Sequence, residues 1–188
     1  MARVEIHPLT PDRWPDFEQV MGPNGVCAGC WCMFWRVARK EFSAGSGAKN
    51  KARYRKLVAA GPPPGLLAYV DGEPAAWAQV CPRADLPTLD RSRLLKPVDD
   101  KPVWSISCFF VRRGFRGKSL MSALVKRAQT FARENGATML EAYPWKAAEK
   151  KSAVTLYTGV ASTFEKLGFE TVAARAPHRP IMRKRVAR

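Results

Sequence analysis

Between residues 109 and 120 the chain reads FFVRRGFRGKSL, with Arg112, Arg113, Arg116 and Lys118 interleaved with Gly114 and Gly117. An apolar run precedes these residues and a helical pattern follows them. That order of residue types suits the binding of phosphate. A helix start leaves about four backbone N–H groups unpaired and carries a partial positive charge of about one half. A glycine lets an anion approach the backbone closely. Strand, basic glycine turn and helix together make a pyrophosphate cradle. A solvated strand-to-helix turn would use similar residues and bind nothing. Two nucleotide motifs are excluded: no GK[ST] closes a GxxxxG, and there is no GxGxxG.

The second reactive cluster is CAGCWC, with Cys27, Cys30 and Cys32. Three thiolates could serve zinc, but a structural site takes four ligands and no further CxxC or HxxxH follows. Small packable cysteines beside Trp31 and Trp35 are the preferred reading, and no metal is expected. Five cysteines without a secretory leader read as reduced thiols in the cytosol.

The elements that must position these groups come from patterning. Residues 3–7 form a short strand, and Thr10-Pro11 starts a helix that Gly22-Pro23-Asn24-Gly25 ends. Residues 26–38 are too aromatic for an exposed linker, 43–50 read as a loop, and 52–60 as a helix. LLAYV and PAAWAQV flank Asp71-Gly72, a strong hairpin signal. A short helical piece is expected at 89–95, a buried strand at 103–111 and an amphipathic helix at 119–135. A strand follows at 138–143, then a helix at 160–167 ended by Gly168 and a strand at 169–176. Residues 103–143 have the length of a βαβ unit.

The chain has 188 residues and 46% hydrophobic content, which suits one core and argues against disorder. Its formal charge is +16, from 32 Lys+Arg against 16 Asp+Glu. Such a field attracts anions: nucleic acid, an anionic membrane or a phosphorylated cofactor. No run of about 18 apolar residues spans a membrane. The C-terminal MRKRVAR reads as a frayed or edge segment.

The stretch FFVRRGFRGKSLMSALVKRA resembles the acetyl-CoA-binding motif of the GNAT superfamily of N-acetyltransferases. Val111, Arg116, Gly117 and Lys118 fall on its positions, while Ser119 and Met121 stand where the family usually has small residues. STFEKLGFE resembles the family's late signature through Glu165, Lys166, Gly168 and Phe169. The resemblance implies a mixed α+β fold: a central, mostly antiparallel sheet with one splayed parallel pair, flanked by helices. It implies a single domain over 1–188, with a variable acceptor-side part at 1–65 and an acetyl-CoA-binding core at 66–175. It also implies direct acetyl transfer from acetyl-CoA to an amine. The cofactor contacts it implies are Phe109, Phe110, Val111, Arg113, Arg116, Gly117, Lys118, Ser119, Leu120, Met121 and Phe164. Phe164 holds the slot of the family's proton-donating Tyr. Tyr157, about two helical turns earlier, is either the acid or a contact of the pantetheine arm. Glu141, on the strand after the long helix, is the candidate base; its other reading is a structural partner of an arginine.

Trp35, Trp77 and Trp145, with Glu141, are the expected substrate-binding residues, although aromatic stripes are mostly core. CWCMFWR, PPGLLAYVDGEP and TGVASTFEKLGF resemble a group of bacterial small-molecule acetyltransferases, to which kasugamycin-acetylating aminoglycoside acetyltransferases are similar. A small-molecule amine acceptor, and with it antibiotic resistance, is what that likeness implies. A +16 chain repels polycations at long range unless Asp71, Glu73, Asp99 and Asp100 reverse the field locally. An acceptor on protein or RNA and a non-catalytic binding module are the alternatives. A cytoplasmic location is expected, with no membrane or nucleic-acid partner; a homodimer is left open.

Overall fold

The computed structural model describes residues 2–146 and 155–186. Its strands are β1 (Val4–Pro8), β2 (Gly65–Val70), β3 (Glu73–Pro82), β4 (Trp104–Val111), β5 (Met139–Ala142), β6 (Glu170–Ala173) and β7 (Ile181–Arg185). Its α-helices are α1 (Trp14–Met21), α2 (Arg39–Ala44), α3 (Ala48–Ala60), α4 (Pro87–Asp90), α5 (Leu120–Glu134) and α6 (Ala161–Lys166). The strands form one sheet in the order β1-β2-β3-β4-β5-β7-β6. Every neighbouring pair is antiparallel except β4 with β5. This is the mixed fold, mostly antiparallel with one parallel pair, that the motifs imply.

Side-chain alternation sorts residues between the two faces. Leu66, Ala68, Ala76, Ala78 and Val80 pack with Leu124, Val125 and Ala128 of α5. Leu67 and Trp77 point the other way, into a cluster with Trp14, Phe17, Trp31 and Tyr54. Both faces are covered, so β3 reads as a nearly continuous apolar run. The Asp71-Gly72 hairpin forms with φ of 51° and 84° at the two residues, which a two-residue turn needs to match strand twist.

Three local expectations change. Helix α2 and the start of α3 occupy most of 43–50, leaving only 45–47 between them. The helical piece near 89–95 is α4, at 87–90. The C-terminal segment is not an edge: Ile181–Arg185 inserts between β5 and β6. Its charge does not prevent this, because Arg183 meets two carboxylates there, those of Glu141 and Asp99. No helix among the described residues is long and apolar enough to cross a membrane.

Candidate active site

Strands β4 and β5 pair only from Trp104↔Leu140 to Ile106↔Ala142 and then part. On β4 the register to β3 shifts between Val80↔Ile106 and Gln79↔Cys108, so Ser107 is a bulge. Bulges bend a strand and increase its twist. Gln79 Nε2 donates to Ser107 Oγ at 2.9 Å and holds the bulge. Beyond β5, Trp145 pairs with residues 159–161 instead of β4: its N–H donates to the Gly159 carbonyl at 2.9 Å, and the Ala161 N–H donates to the Trp145 carbonyl at 2.8 Å. From Ser107 to Val111, β4 has no β5 partner, and alternate backbone amides face the gap.

A cavity of about 640 Å³ opens at that gap. Cys108, Phe109, Phe110 and Val111 of β4 form one wall, with Arg116 and Met121 at its edge. Leu156, Tyr157 and Val160, from the chain after β5, also line the cavity. The N-terminal segment closes the chamber with Phe34, Trp35, Arg39 and Phe42, and with Cys27, Cys30 and Cys32. Tyr157 packs against Phe34 and Trp35, with ring centroids 6.2 and 6.5 Å away. Burial pushes the Tyr157 hydroxyl above its ordinary pKa, against the pull of the Arg179 guanidinium. Burial likewise raises Cys30 to about 12. Both groups hold their protons at neutral pH.

The basic turn borders the same cavity. Gly117 has φ 78° and Ser119 φ 55°, both left-handed, and this backbone turns the chain into α5. Ser119 is the helix cap, yet its side chain caps nothing. The first amides of this 15-residue helix therefore lack a side-chain acceptor from the cap. Arg116 Nε donates to the Val111 carbonyl at 3.2 Å, which ties the turn to the end of β4. Arg113 and Lys118 are exposed beside it. Open amides, left-handed backbone and three cations suit a pyrophosphate, and the apolar chamber beyond suits a thioester arm.

A family profile for the acetyltransferase (GNAT) family matches residues 31–160, well over half of the chain. The chain belongs to the acetyltransferase (GNAT) family. Among solved structures, a protein described as histone acetyltransferase HPA2 and related acetyltransferase from Corynebacterium glutamicum is 17% identical. It superposes with a TM-score of 0.57, covering 98% of this chain and 96% of that one. A GNAT acetyltransferase from Desulfovibrio desulfuricans is 17% identical, with a TM-score of 0.55 and coverage of 98% and 100%. The PaiA N-acetyltransferase of Thermoplasma acidophilum, solved with coenzyme A, is 13% identical, with a TM-score of 0.50 and coverage of 97% and 99%. At these identities the likeness is one of fold. No curated protein matches the sequence.

The acetyltransferase therefore uses acetyl-CoA, and its geometry sorts the expected site residues. Phe109, Phe110, Val111, Arg116, Met121, Tyr157 and Trp35 line the cavity. Five expectations are corrected. Glu141 is fully buried and does not reach the cavity. It accepts from Arg83 Nη1 at 2.6 Å, from Arg183 Nε at 2.7 Å and from the Tyr143 hydroxyl at 2.7 Å. A carboxylate so paired has no path to a substrate proton, so the arginine-partner reading holds. Trp77 is core: it is 0% exposed, and its Nε1 donates to Cys32 Sγ at 3.0 Å. Trp145 lies outside the cavity, stacked on His178 at 5.2 Å with the Arg179 guanidinium 4.5 Å from its ring centre. Phe164 is buried between Phe109 and Phe169, and Leu120 is also core, so only the Leu120 backbone serves the turn.

Among the described residues no cluster of His, Cys, Asp or Glu could hold a metal ion. Sequence reasoning missed Phe34, Arg39, Gln79, Cys108 and Val160 as cavity residues. Cys108 and Phe110 share one face of β4 by simple alternation, a signal the sequence does contain. Arg39 carries no such signal, because its place depends on how residues 22–38 fold back over the sheet.

Proposed function

We propose that this acetyltransferase transfers the acetyl group of acetyl-CoA to the amine of a small molecule held in the chamber. The observation that carries this reading is continuity. One cavity runs from Arg116 and Met121 at the basic turn, past the unpaired part of β4, to the aromatic walls of the N-terminal segment. On this reading the chain is a single domain, with residues 1–65 supplying the acceptor side and 66–175 the acetyl-CoA core.

Acetyl-CoA, when bound, supplies a thioester whose carbonyl an amine attacks. Arg113, Arg116, Lys118 and the amides of residues 117–121 hold its phosphates. Backbone N–H groups of Phe109 to Val111 that face the gap polarise the carbonyl, an effect typically worth a few kcal/mol. The protonated Tyr157 hydroxyl, on the lining of the same cavity, donates toward the departing sulfur. The raised pKa keeps this proton in place at neutral pH, so the group starts the reaction as a donor, although burial also makes it a weaker acid.

Kasugamycin and other aminoglycosides belong among the acceptors to be tried. Among the described lining residues there is no Asp or Glu to receive their ammonium groups. Asp71 accepts the Arg3 amide at 2.8 Å, and Asp99 is engaged by Arg183 at 2.8 Å. The test is thiol release from acetyl-CoA with a panel of small amines and peptides, with product mass recorded. Arg116→Ala with Lys118→Ala should raise the KM for acetyl-CoA while leaving pantetheine-thioester use little changed. Transfer confined to peptides or proteins would refute the small-molecule reading, and equal loss with both donors would refute the phosphate assignment.

A further inference from the structure

We infer that the acceptor is a weakly basic aromatic amine, already neutral near pH 7, and not an alkylammonium ion. The inference rests on the acetyl-transfer reading above. The titratable or charged groups that face the chamber are Cys27, Cys30 and Cys32 from the N-terminal segment, Arg39 from the start of α2, and Cys108 from β4. Arg116 of the turn and Tyr157 complete the described lining, and the Arg179 guanidinium acts on Tyr157. Among the described lining residues there is no Asp, Glu, His or Lys. Both permanent charges are positive; Arg116 is engaged by the cofactor phosphates on this reading, so Arg39 is the lining cation left facing the acceptor. Arg39 has no carboxylate partner among the described residues; its guanidinium lies over the Phe34 ring at 5.5 Å.

Such a chamber works against an ammonium ion twice. Like charges disfavour it, and so does transfer from water to an apolar wall. No described lining carboxylate or imidazole is placed to take its proton. An alkylamine with the basicity of a lysine, pKa about 10.4, is neutral in only about one molecule in a thousand near pH 7.4. An amine whose lone pair is delocalised into a ring has no such deficit. The aromatic walls Phe34, Trp35, Phe42, Phe110 and Tyr157 suit the ring of that amine.

The step balances without a second base beside Tyr157. The amine nitrogen gives its lone pair to the carbonyl carbon, so an N–C bond forms while the C–S bond breaks and its electrons leave with sulfur. The sulfur takes the Tyr157 proton, and the nitrogen's surplus proton restores Tyr157, directly or through water. The products are the N-acetyl arene and free CoA thiol.

The test compares aniline with benzylamine on the intact protein with acetyl-CoA from pH 6 to 9, following thiol release and product mass. The expected result is a kcat/KM for aniline at least about tenfold higher at pH 7 and nearly flat with pH. Benzylamine should rise about tenfold per pH unit, as its neutral fraction does. Arg39→Glu, which puts a carboxylate on the wall, should narrow the aniline-to-benzylamine ratio by about tenfold at pH 7 with the KM for acetyl-CoA unchanged. Arg39→Gln, which only removes the cation, should move the ratio the same way by less. A flat benzylamine profile, a preference for benzylamine at pH 7, or a ratio unmoved by both Arg39 variants overturns the inference. Acetylation confined to alkylamines or aminoglycosides overturns it while sparing the small-molecule reading. Absence of transfer to every small amine overturns both.

Discussion

Glu141 of β5 and Arg183 of β7 meet at 2.7 Å in the core, one residue short of Ile106↔Ala142, the last pair that joins β4 to β5. Arg83 approaches the other carboxylate oxygen at 2.6 Å, and Ser105 of β4 joins through the Tyr143 hydroxyl at 2.7 Å. Three strands are thus tied together just before two of them separate. The cluster anchors the closed end of the fork whose open end forms the chamber.

Glu141→Gln should therefore act on stability and not on chemistry. Removing one partner of a buried ion pair costs about 3–5 kcal/mol, because Arg83 and Arg183 would stay buried with less compensation. Denaturant unfolding should show a loss of that order, while kcat per folded molecule stays within about threefold of the parent. A hundredfold fall in kcat at unchanged stability would restore Glu141 as a base.

Tyr157→Phe should lower kcat by on the order of a hundredfold near pH 7, the lower end for a genuine acid–base group. The hydroxyl is the only atom removed, so acetyl-CoA affinity should hold, as isothermal titration can show. A loss under tenfold would mean that the thiolate leaves unassisted, which its alkyl-thiol acidity, about 8.5, permits at pH 8.

Stability should fall on the alkaline side. Burial raises Cys30 and Cys81 to about 12 and lifts Cys32, Tyr54 and Tyr143 well above their ordinary values. Each group stays protonated in the fold where the unfolded chain has lost its proton. The unfolded state then binds fewer protons, so the slope of stability with pH is negative. The contribution is intact below about pH 8.5, the unfolded thiol value, and declines as pH rises toward the folded values. Urea unfolding under reducing conditions should give a midpoint that drops steadily from pH 8.5 to 10.5. A flat midpoint would contradict the burial of these thiols.

Ser119→Gly should stabilise the protein. Ser119 sits at φ 55° and its hydroxyl caps no helix amide. A left-handed non-glycine residue costs roughly 1–2 kcal/mol, partly offset by the entropy glycine loses on folding. A net gain of about 1 kcal/mol corresponds to a melting temperature about 2–4 °C higher. An unchanged or lower melting temperature would show that the serine hydroxyl has a partner that outweighs the strain.

Local order determined much of this protein before any folding is considered. The Asp71-Gly72 hairpin, the apolar stripe of α5 and the basic turn at 113–119 depend on residues close in the chain, whose backbone preferences and periodicity are visible in order. The turn's chemistry was legible for that reason, and Phe109, Arg116 and Met121 stand where its motif places them. Tertiary structure decided the rest. Glu141 reads as a possible base because its strand is short and its neighbours apolar. Only the arrival of Arg83 from 58 residues earlier and Arg183 from 42 residues later turns it into a core ion pair. Trp77 and Trp35 are equal in sequence, but one fills the layer under α1 and the other reaches the chamber. The strand at 181–185 looked like a frayed basic tail because its compensating charges, Glu141 and Asp99, lie far away in the chain. Long-range pairing carries no period and no spacing, so it becomes readable only when the sheet has brought the partners together.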